Sequence, residues 1–270
     1  MRVRVTLQAE GSIWVPWHYP EWLQGLIYKN LKKSAPDLAF RLHSEGFVAG
    51  SKRYKLITFS WLFPKSAVQR ENGLLMTPPI KWWISSPLIA VIEAFVYSLL
   101  AWPEIKLGKQ KLFAAVVQTE PIFCPGDTVI FETLSPIVAS TGVIEGGKMR
   151  KIFLSPESQD FSRVITENLQ HKALALWGEK IPEGTVEMKP LEYYPKLVTI
   201  YGTKVRCYEG VFEVKGHPEL IKLGYEAGFG ERNFQGFGMM RFKAREVVHE
   251  AQDPSYRRRS QRSGTPQRNP

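Results

Sequence analysis

Between Gly224 and Gly238 the chain places five glycines in 15 residues, interleaved with Tyr225, Phe229, Phe234 and Phe237, and with Arg232, Asn233 and Gln235 near the middle. Glycine accepts positive φ and lets another backbone approach closely. Successive free N–H groups in such a loop form a concavity that holds anions. A guanidinium and two amides at the tip suit the backbone of a polyanion such as RNA. The same composition also suits a glycine-bulged hairpin with no ligand, and composition leaves both readings open.

Other chemistries are poorly served. The histidines (His18, His43, His171, His217 and His249) are scattered, Cys124 and Cys207 are far apart, and neither H-E-x-x-H nor C-x-x-C occurs. There is no phosphate-binding G-x-x-x-x-G-K-[ST] and no G-x-S-x-G elbow. Gly228-x-Gly230 reaches Asn233 where a dinucleotide fingerprint needs glycine. A metal-free route stays open if the polyanion is RNA, which carries its own nucleophile, the 2′-hydroxyl. Cutting then needs a base for that proton, an acid for the departing 5′-oxygen and a cation for the phosphorane. Histidine, tyrosine and lysine fill these jobs, and the products are a 2′,3′-cyclic phosphate or 3′-phosphate and a 5′-hydroxyl.

Gly224 to Met239 resembles, almost position by position, the C-terminal signature G-Y-E-x-G-F-G-E-[RK]-N-x-x-G-F-G-M of the CRISPR-associated repeat-RNA endoribonucleases, the sixth Cas protein of the RAMP superfamily. Gln24-Gly-Leu-Ile-Tyr28, Lys55-Leu-Ile-Thr-Phe-Ser60 and Thr133-Leu-Ser-Pro-Ile137 are similar to that family's other landmarks, in its order. The resemblance covers roughly residues 1–245. It implies a metal-independent endoribonuclease, without cofactor, that cuts CRISPR precursor RNA within its repeats. It implies Tyr28, His43 and Lys55 as the catalytic trio, with Lys52 as the alternative lysine. Lys29, Lys52, Arg53, Gly228, Gly230, Arg232, Asn233, Gly236 and Gly238 are the candidate RNA-binding residues. The implied partners are the repeat RNA, as precursor and as guide, and an interference complex. By residue type alone the trio has plainer readings: a packing tyrosine, a solvated loop histidine and a soluble strand end. A non-catalytic protein that binds repeat RNA on the same fold is the alternative function.

The elements that must carry these residues follow from periodicity. Val3, Val5 and Leu7 alternate with polar residues and read as a strand. Trp22, Leu23, Leu26, Ile27 and Leu31 form a helical stripe that ends before Pro36. Lys55–Phe63, Gly73–Thr77, Ile80–Ser85 and Lys111–Gln118 read as strands, and Ser86-Pro87 opens a helix running to about Ala101. His43 falls in the loop after the first helix. The second half repeats the scheme, with strands at Thr128–Thr133, Val138–Val143, Lys151–Leu154, Thr185–Lys189, Leu197–Val205, Val211–Val214 and Met239–Phe242. Its helices are Pro156–Trp177 and Pro218–Leu223. The fold class is therefore α+β: two tandem ferredoxin-like (RRM-like, βαββαβ) domains with a C-terminal glycine-rich loop. The expected boundaries are 1–120, 121–252 and a disordered basic tail, 253–270.

The chain has 270 residues and a net charge of +10, and five arginines of that charge lie between Pro254 and Pro270. Without them +5 remains on the body, still a polyanion-seeking balance. The most apolar segment, Pro87 to Trp102, is too short for a membrane span and carries Glu93. With no apolar signal core at the N-terminus, the expected location is cytoplasmic.

Overall fold

A computed structural model describes residues 1–178 and 181–243; the basic tail lies outside the described residues. The first sheet grows around β1 (Arg2–Gln8), whose Val3, Val5 and Leu7 are buried as their alternation requires. After β2 (Ile13–Pro16) comes α1 (Tyr19–Ser34), which packs its Leu23, Leu26, Ile27 and Leu31 stripe on the sheet. Pro36 does more than stop α1. It sits at the first turn of a second helix, α2 (Pro36–Ser44), where its missing N–H costs nothing. His43 is therefore in the last turn of a helix, not in a loop.

Short strands β3 (Phe47–Ala49) and β4 (Lys52–Tyr54) form a hairpin, followed by β5 (Thr58–Phe59), β6 (Phe63–Arg70) and β7 (Gly73–Ser85). The expected strand from Lys55 shrinks to β5, and Lys55 opens no strand. The cause is Leu56, whose φ is +54°. Its side chain enters the core of the second domain, while Ile57 enters that of the first. An apolar run shared between two cores cannot remain one strand. The expected strands Gly73–Thr77 and Ile80–Ser85 are instead one strand. Along one edge of β7, β2 pairs as far as Met76 and β1 begins at Ile80. Pro78 and Pro79 occupy the gap, where their lack of N–H breaks no ladder there.

Helix α3 (Ile89–Ala101) then covers the same face as α1, and β8 (Glu104–Leu107) and β9 (Gln110–Thr119) close the sheet. Ser86 Oγ donates to the Leu56 carbonyl and accepts from the Leu88 N–H, so the helix starts slightly later than Pro87. The order β9–β1–β7–β6 is the ferredoxin-like order.

The second sheet has the order β15–β10–β14–β13, formed by β10 (Thr128–Thr133), β13 (Val186–Ile200), β14 (Thr203–Gly216) and β15 (Met240–Phe242). Helices α4 (Gln159–Trp177) and α5 (Pro218–Ala227) pack on it, and a hairpin of β11 (Ser140–Glu145) and β12 (Lys148–Phe153) precedes α4. The expected strand Leu197–Val205 straddles the tip of the β13–β14 hairpin. Tyr201 and Gly202 both have positive φ and turn the chain back there. Gly224 belongs to α5 rather than to the loop after it.

The two domains interlock. Leu56 of the first sits in the second core, and Phe234 of the second sits in the first core. Arg2, which alternation placed on a polar face, is buried at this junction. It donates to the Met240 and Tyr225 carbonyls and lies 3.5 Å from the Tyr225 ring centroid. Among the described residues no helix is long and apolar enough to cross a membrane.

Candidate active site

The trio meets at the C-terminal end of α2. Tyr28, in the third turn of α1, places its ring edge-on to His43, with centroids 5.2 Å apart. The hairpin β3–β4 brings the chain back to the same helix end. Gly46 permits this return: its φ is +64°, and a Cβ there would lie 2.9 Å from the Tyr54 carbonyl and 3.4 Å from Lys55 Nζ. Lys55 Nζ donates to the carbonyls of Leu42 and of His43, the latter at 2.8 Å. Arg53 donates to Ser44 O at 3.1 Å. Both cations thus satisfy carbonyls that a helix end leaves unpaired and oppose the negative end of its dipole.

The three side chains sit in different electrostatic surroundings. Burial, and secondarily Tyr201, push the Tyr28 phenol up to about 12. Tyr28 therefore holds its proton at neutral pH and can donate a hydrogen bond. Burial, and then Arg53, lower Lys55 from its ordinary value. The His43 ring is exposed.

Beside the trio opens a cleft of about 710 Å³ between the domains, lined by Tyr28 and Lys55 but not by the His43 side chain. Lys52, Arg53, Lys55, Lys151, Lys172 and Arg232 line it against two carboxylates, Glu167 and Glu231. A second, larger groove of about 1210 Å³ lies over Trp17, Trp61 and Tyr194. It carries Glu21, Glu132, Glu192 and Glu209 against Lys196, with Glu209 paired to Lys196 and Glu132 to Arg241, so an acidic excess remains, and none of the trio lines it.

The glycine-rich loop forms one wall of the cleft, but its backbone is less open than its composition suggests. The amides of Gly228, Gly236 and Gly238 already donate to the carbonyls of Gly224, Asn233 and Pro136. These three glycines allow tight packing and offer no free N–H to an anion. Asn233 Nδ2 donates to Phe229 O at 3.2 Å and Phe237 O at 3.1 Å, stapling the loop. Phe234 then meets the Tyr28 ring edge-on at 4.8 Å, so the loop also braces the trio. Of the sequence-derived RNA contacts, Lys52, Arg53, Gly230, Arg232 and Asn233 line the cleft, whereas Lys29, Gly228, Gly236 and Gly238 do not. Lys52 stands apart from His43, with its Nζ 3.4 Å from His171 Nδ1.

Sequence reasoning missed four residues here. Lys172 on α4 is buried, and its Nζ donates to Gly228 O at 2.6 Å and Gly230 O at 3.0 Å. Burial pushes its ammonium down to about 7, although Glu231 pulls the other way. Glu231 accepts from Lys151 and Ser140, each at 2.6 Å, which ties the β11–β12 hairpin to the loop. Tyr54 lines the cleft, and His171 touches it through Lys52. Lys172 falls on the buried stripe of α4, at helical spacing from Phe161, Ile165 and Leu169, and that period is the signal that could have found it. Among the described residues, no three His, Cys, Asp or Glu side chains gather as a metal site.

The model for the N-terminal domain of CRISPR-associated protein Cas6 matches residues 14–118, and the model for its C-terminal domain matches residues 118–242. The chain belongs to the Cas6 family. Over 242 residues it is 32% identical to CRISPR-associated endoribonuclease Cas6 1 of Methanocaldococcus jannaschii, covering 89% of this chain and 92% of that protein. Over 245 residues it is 34% identical to CRISPR-associated endoribonuclease Cas6 of Pyrococcus furiosus, covering 88% of each. Among solved structures, a CRISPR-associated protein Cas6 at 32% identity superposes with a TM-score of 0.75, over 90% of this chain and 99% of the other. A RAMP protein described as binding different RNA substrates, 25% identical, superposes at 0.77 over 90% of this chain and 99% of its own.

Proposed function

We propose that this Cas6-family chain is a metal-independent endoribonuclease that cuts CRISPR precursor RNA within its repeats, and that Tyr28, His43 and Lys55 carry the chemistry. The observation that carries the reading is the edge-on contact of the Tyr28 and His43 rings with Lys55 held against the His43 backbone, at the rim of a cationic cleft. The 2′-hydroxyl oxygen attacks the adjacent phosphorus while its proton passes to a base. The P–O5′ bond breaks, and the 5′-oxygen takes a proton from an acid. His43 exchanges protons in this cycle, Tyr28 orients or donates through its retained proton, and Lys55 supplies positive charge to the phosphorane. Each proton-transfer group of this kind is worth roughly 10²–10⁴ in rate. Lys52, Arg53 and Arg232 hold the phosphate chain. The cut product remains bound as a guide and passes to an interference complex. The names of the Methanocaldococcus and Pyrococcus relatives, both endoribonucleases, support the activity.

A second reading, a repeat-RNA-binding protein without cleavage, is favoured by the His43 side chain lying outside the cleft lining. Cleavage of repeat RNA in excess EDTA separates the two. Cutting that is lost with a single 2′-deoxy at the cut site, and with His43→Ala at unchanged RNA affinity, supports the enzyme. Tight binding of the natural RNA with no cutting supports the binding protein.

A further inference from the structure

Tyr201 is an unusual choice for the tip of a two-residue hairpin. Both tip residues have positive φ, +46° at Tyr201 and +72° at Gly202. Glycine and asparagine take that conformation readily, whereas an aromatic side chain adopts it at a cost. Turn chemistry therefore does not explain the tyrosine. Residues kept in sparsely populated conformations cluster where function needs them.

Its contacts say what is being held. The Tyr201 N–H donates to Glu21 Oε1 at 2.7 Å, and its hydroxyl donates to Gln24 Oε1 at 2.9 Å. A hairpin from the second domain is thus tied at two points to α1, the helix that carries Tyr28. Glu21 lines the large acidic groove together with Tyr201, whereas Gln24 and Tyr28 line the cationic cleft. Tyr201 thus lines the groove, and its hydroxyl bond reaches Gln24 at the wall of the cleft, beside the boundary of the two. The Tyr28 ring spends itself against His43 and Phe234, but Tyr201 is 55% exposed although its backbone and hydroxyl are anchored.

We propose that the Tyr201 ring is a stacking platform for one unpaired nucleobase of the RNA, at the entrance to the catalytic cleft. This rests on the endoribonuclease reading. A rigid, pre-anchored ring costs little entropy to use, and stacking on it accepts any base because every base has a π-face. The charge pattern agrees. The cleft carries six cations against two carboxylates, whereas the groove keeps an acidic excess after Glu209 and Glu132 pair with Lys196 and Arg241, so phosphates are drawn to the cleft side of Tyr201.

The test uses full-length protein and repeat RNA with a single 2′-deoxy at the cut site, carrying 2-aminopurine at one nucleotide near the cut in each of a series. In wild type, fluorescence at one of these positions is quenched on binding. Tyr201→Leu abolishes that quench and weakens binding by roughly 5- to 150-fold, the range for loss of one stacked base. Tyr201→Phe keeps the ring without the Gln24 bond, and Tyr201→Trp supplies another flat surface. Both retain the quench and most of the affinity. These two also serve if Tyr201→Leu fails to fold. The proposal is overturned if Tyr201→Leu binds and quenches like wild type. It is equally overturned if Tyr201→Phe is as damaging as Tyr201→Leu, because the hydroxyl tether would then be the only role. Wild-type protein that neither binds nor cuts the natural repeat RNA sinks the endoribonuclease reading instead, an outcome distinct from both.

Discussion

Replacing Lys172 with methionine removes a buried ammonium and leaves a side chain of similar length. The lysine is lowered from an ordinary 10.5 to about 7, first by burial. Between those values the unfolded chain binds a proton that the folded one does not. Stability therefore rises with pH across that window, and the cost of the buried charge is fully present below pH 7. Integrating from pH 7 to pH 9 gives a gain of about 2 kcal/mol from this one residue. The neutral amine still donates to Gly228 and Gly230 O at pH 9. Methionine cannot, and leaves those carbonyls unpaired at about 1–3 kcal/mol. At pH 9 a remaining deprotonation cost of about 2 kcal/mol in the wild type offsets part of that loss, and the stability of wild type relative to the variant falls by about a further 2 kcal/mol on descending to pH 7. Urea unfolding followed by tryptophan fluorescence at half-unit pH intervals measures both curves. Lys55, also lowered, adds the same sign, and Cys207, raised by burial, opposes it toward pH 9 and above. Both are common to the two proteins and cancel in the difference. Parallel curves from pH 7 to pH 9 would refute the claim that Lys172 is buried against the loop carbonyls.

Three further outcomes follow from the same geometry. Gly238→Ala places a Cβ 2.0 Å from the Phe229 carbonyl at φ +76°, so it destabilises by more than about 2 kcal/mol in urea unfolding. Gly25→Ala, on an open face of α1, is instead stabilising by about 0.5–1 kcal/mol; equal effects at the two sites would contradict the loop packing. The double variant Lys52→Ala, Arg53→Ala removes two cations that line the cleft. It lowers the slope of log affinity against log salt by about 1.4, at about 0.7 per single-strand phosphate contact. An unchanged slope would take those residues out of the RNA path.

How much of this was legible beforehand depends on the range of the interactions. Strand β1, helix α1 as far as Ser34 and the end of α3 at Ala101 declare themselves through local period and breakers. The order of those elements leads to the ferredoxin-like arrangement of both halves. The region from Pro36 to Phe59 was misread because its signals are divided. Pro36 reads as a stop but serves as a start, and the run Leu56-Ile57 looks like a strand while feeding two cores. The tip at Tyr201 was hidden because nothing in a tyrosine announces positive φ.

By itself the sequence determined the periodic elements, the basic balance of the chain and the glycine-rich loop with its ordered companions, and from these the family. All of that rests on residues close in the chain or on their types. Only the tertiary structure decided that Tyr28, His43 and Lys55 share one helix end, that three loop glycines spend their amides internally, and that Lys172 is a buried clamp. The reason is physical. Burial, hydrogen-bond partners and the direction a side chain points depend on which distant surface covers it. Here each domain lends a residue to the other's core, so neither half alone specifies the cleft between them.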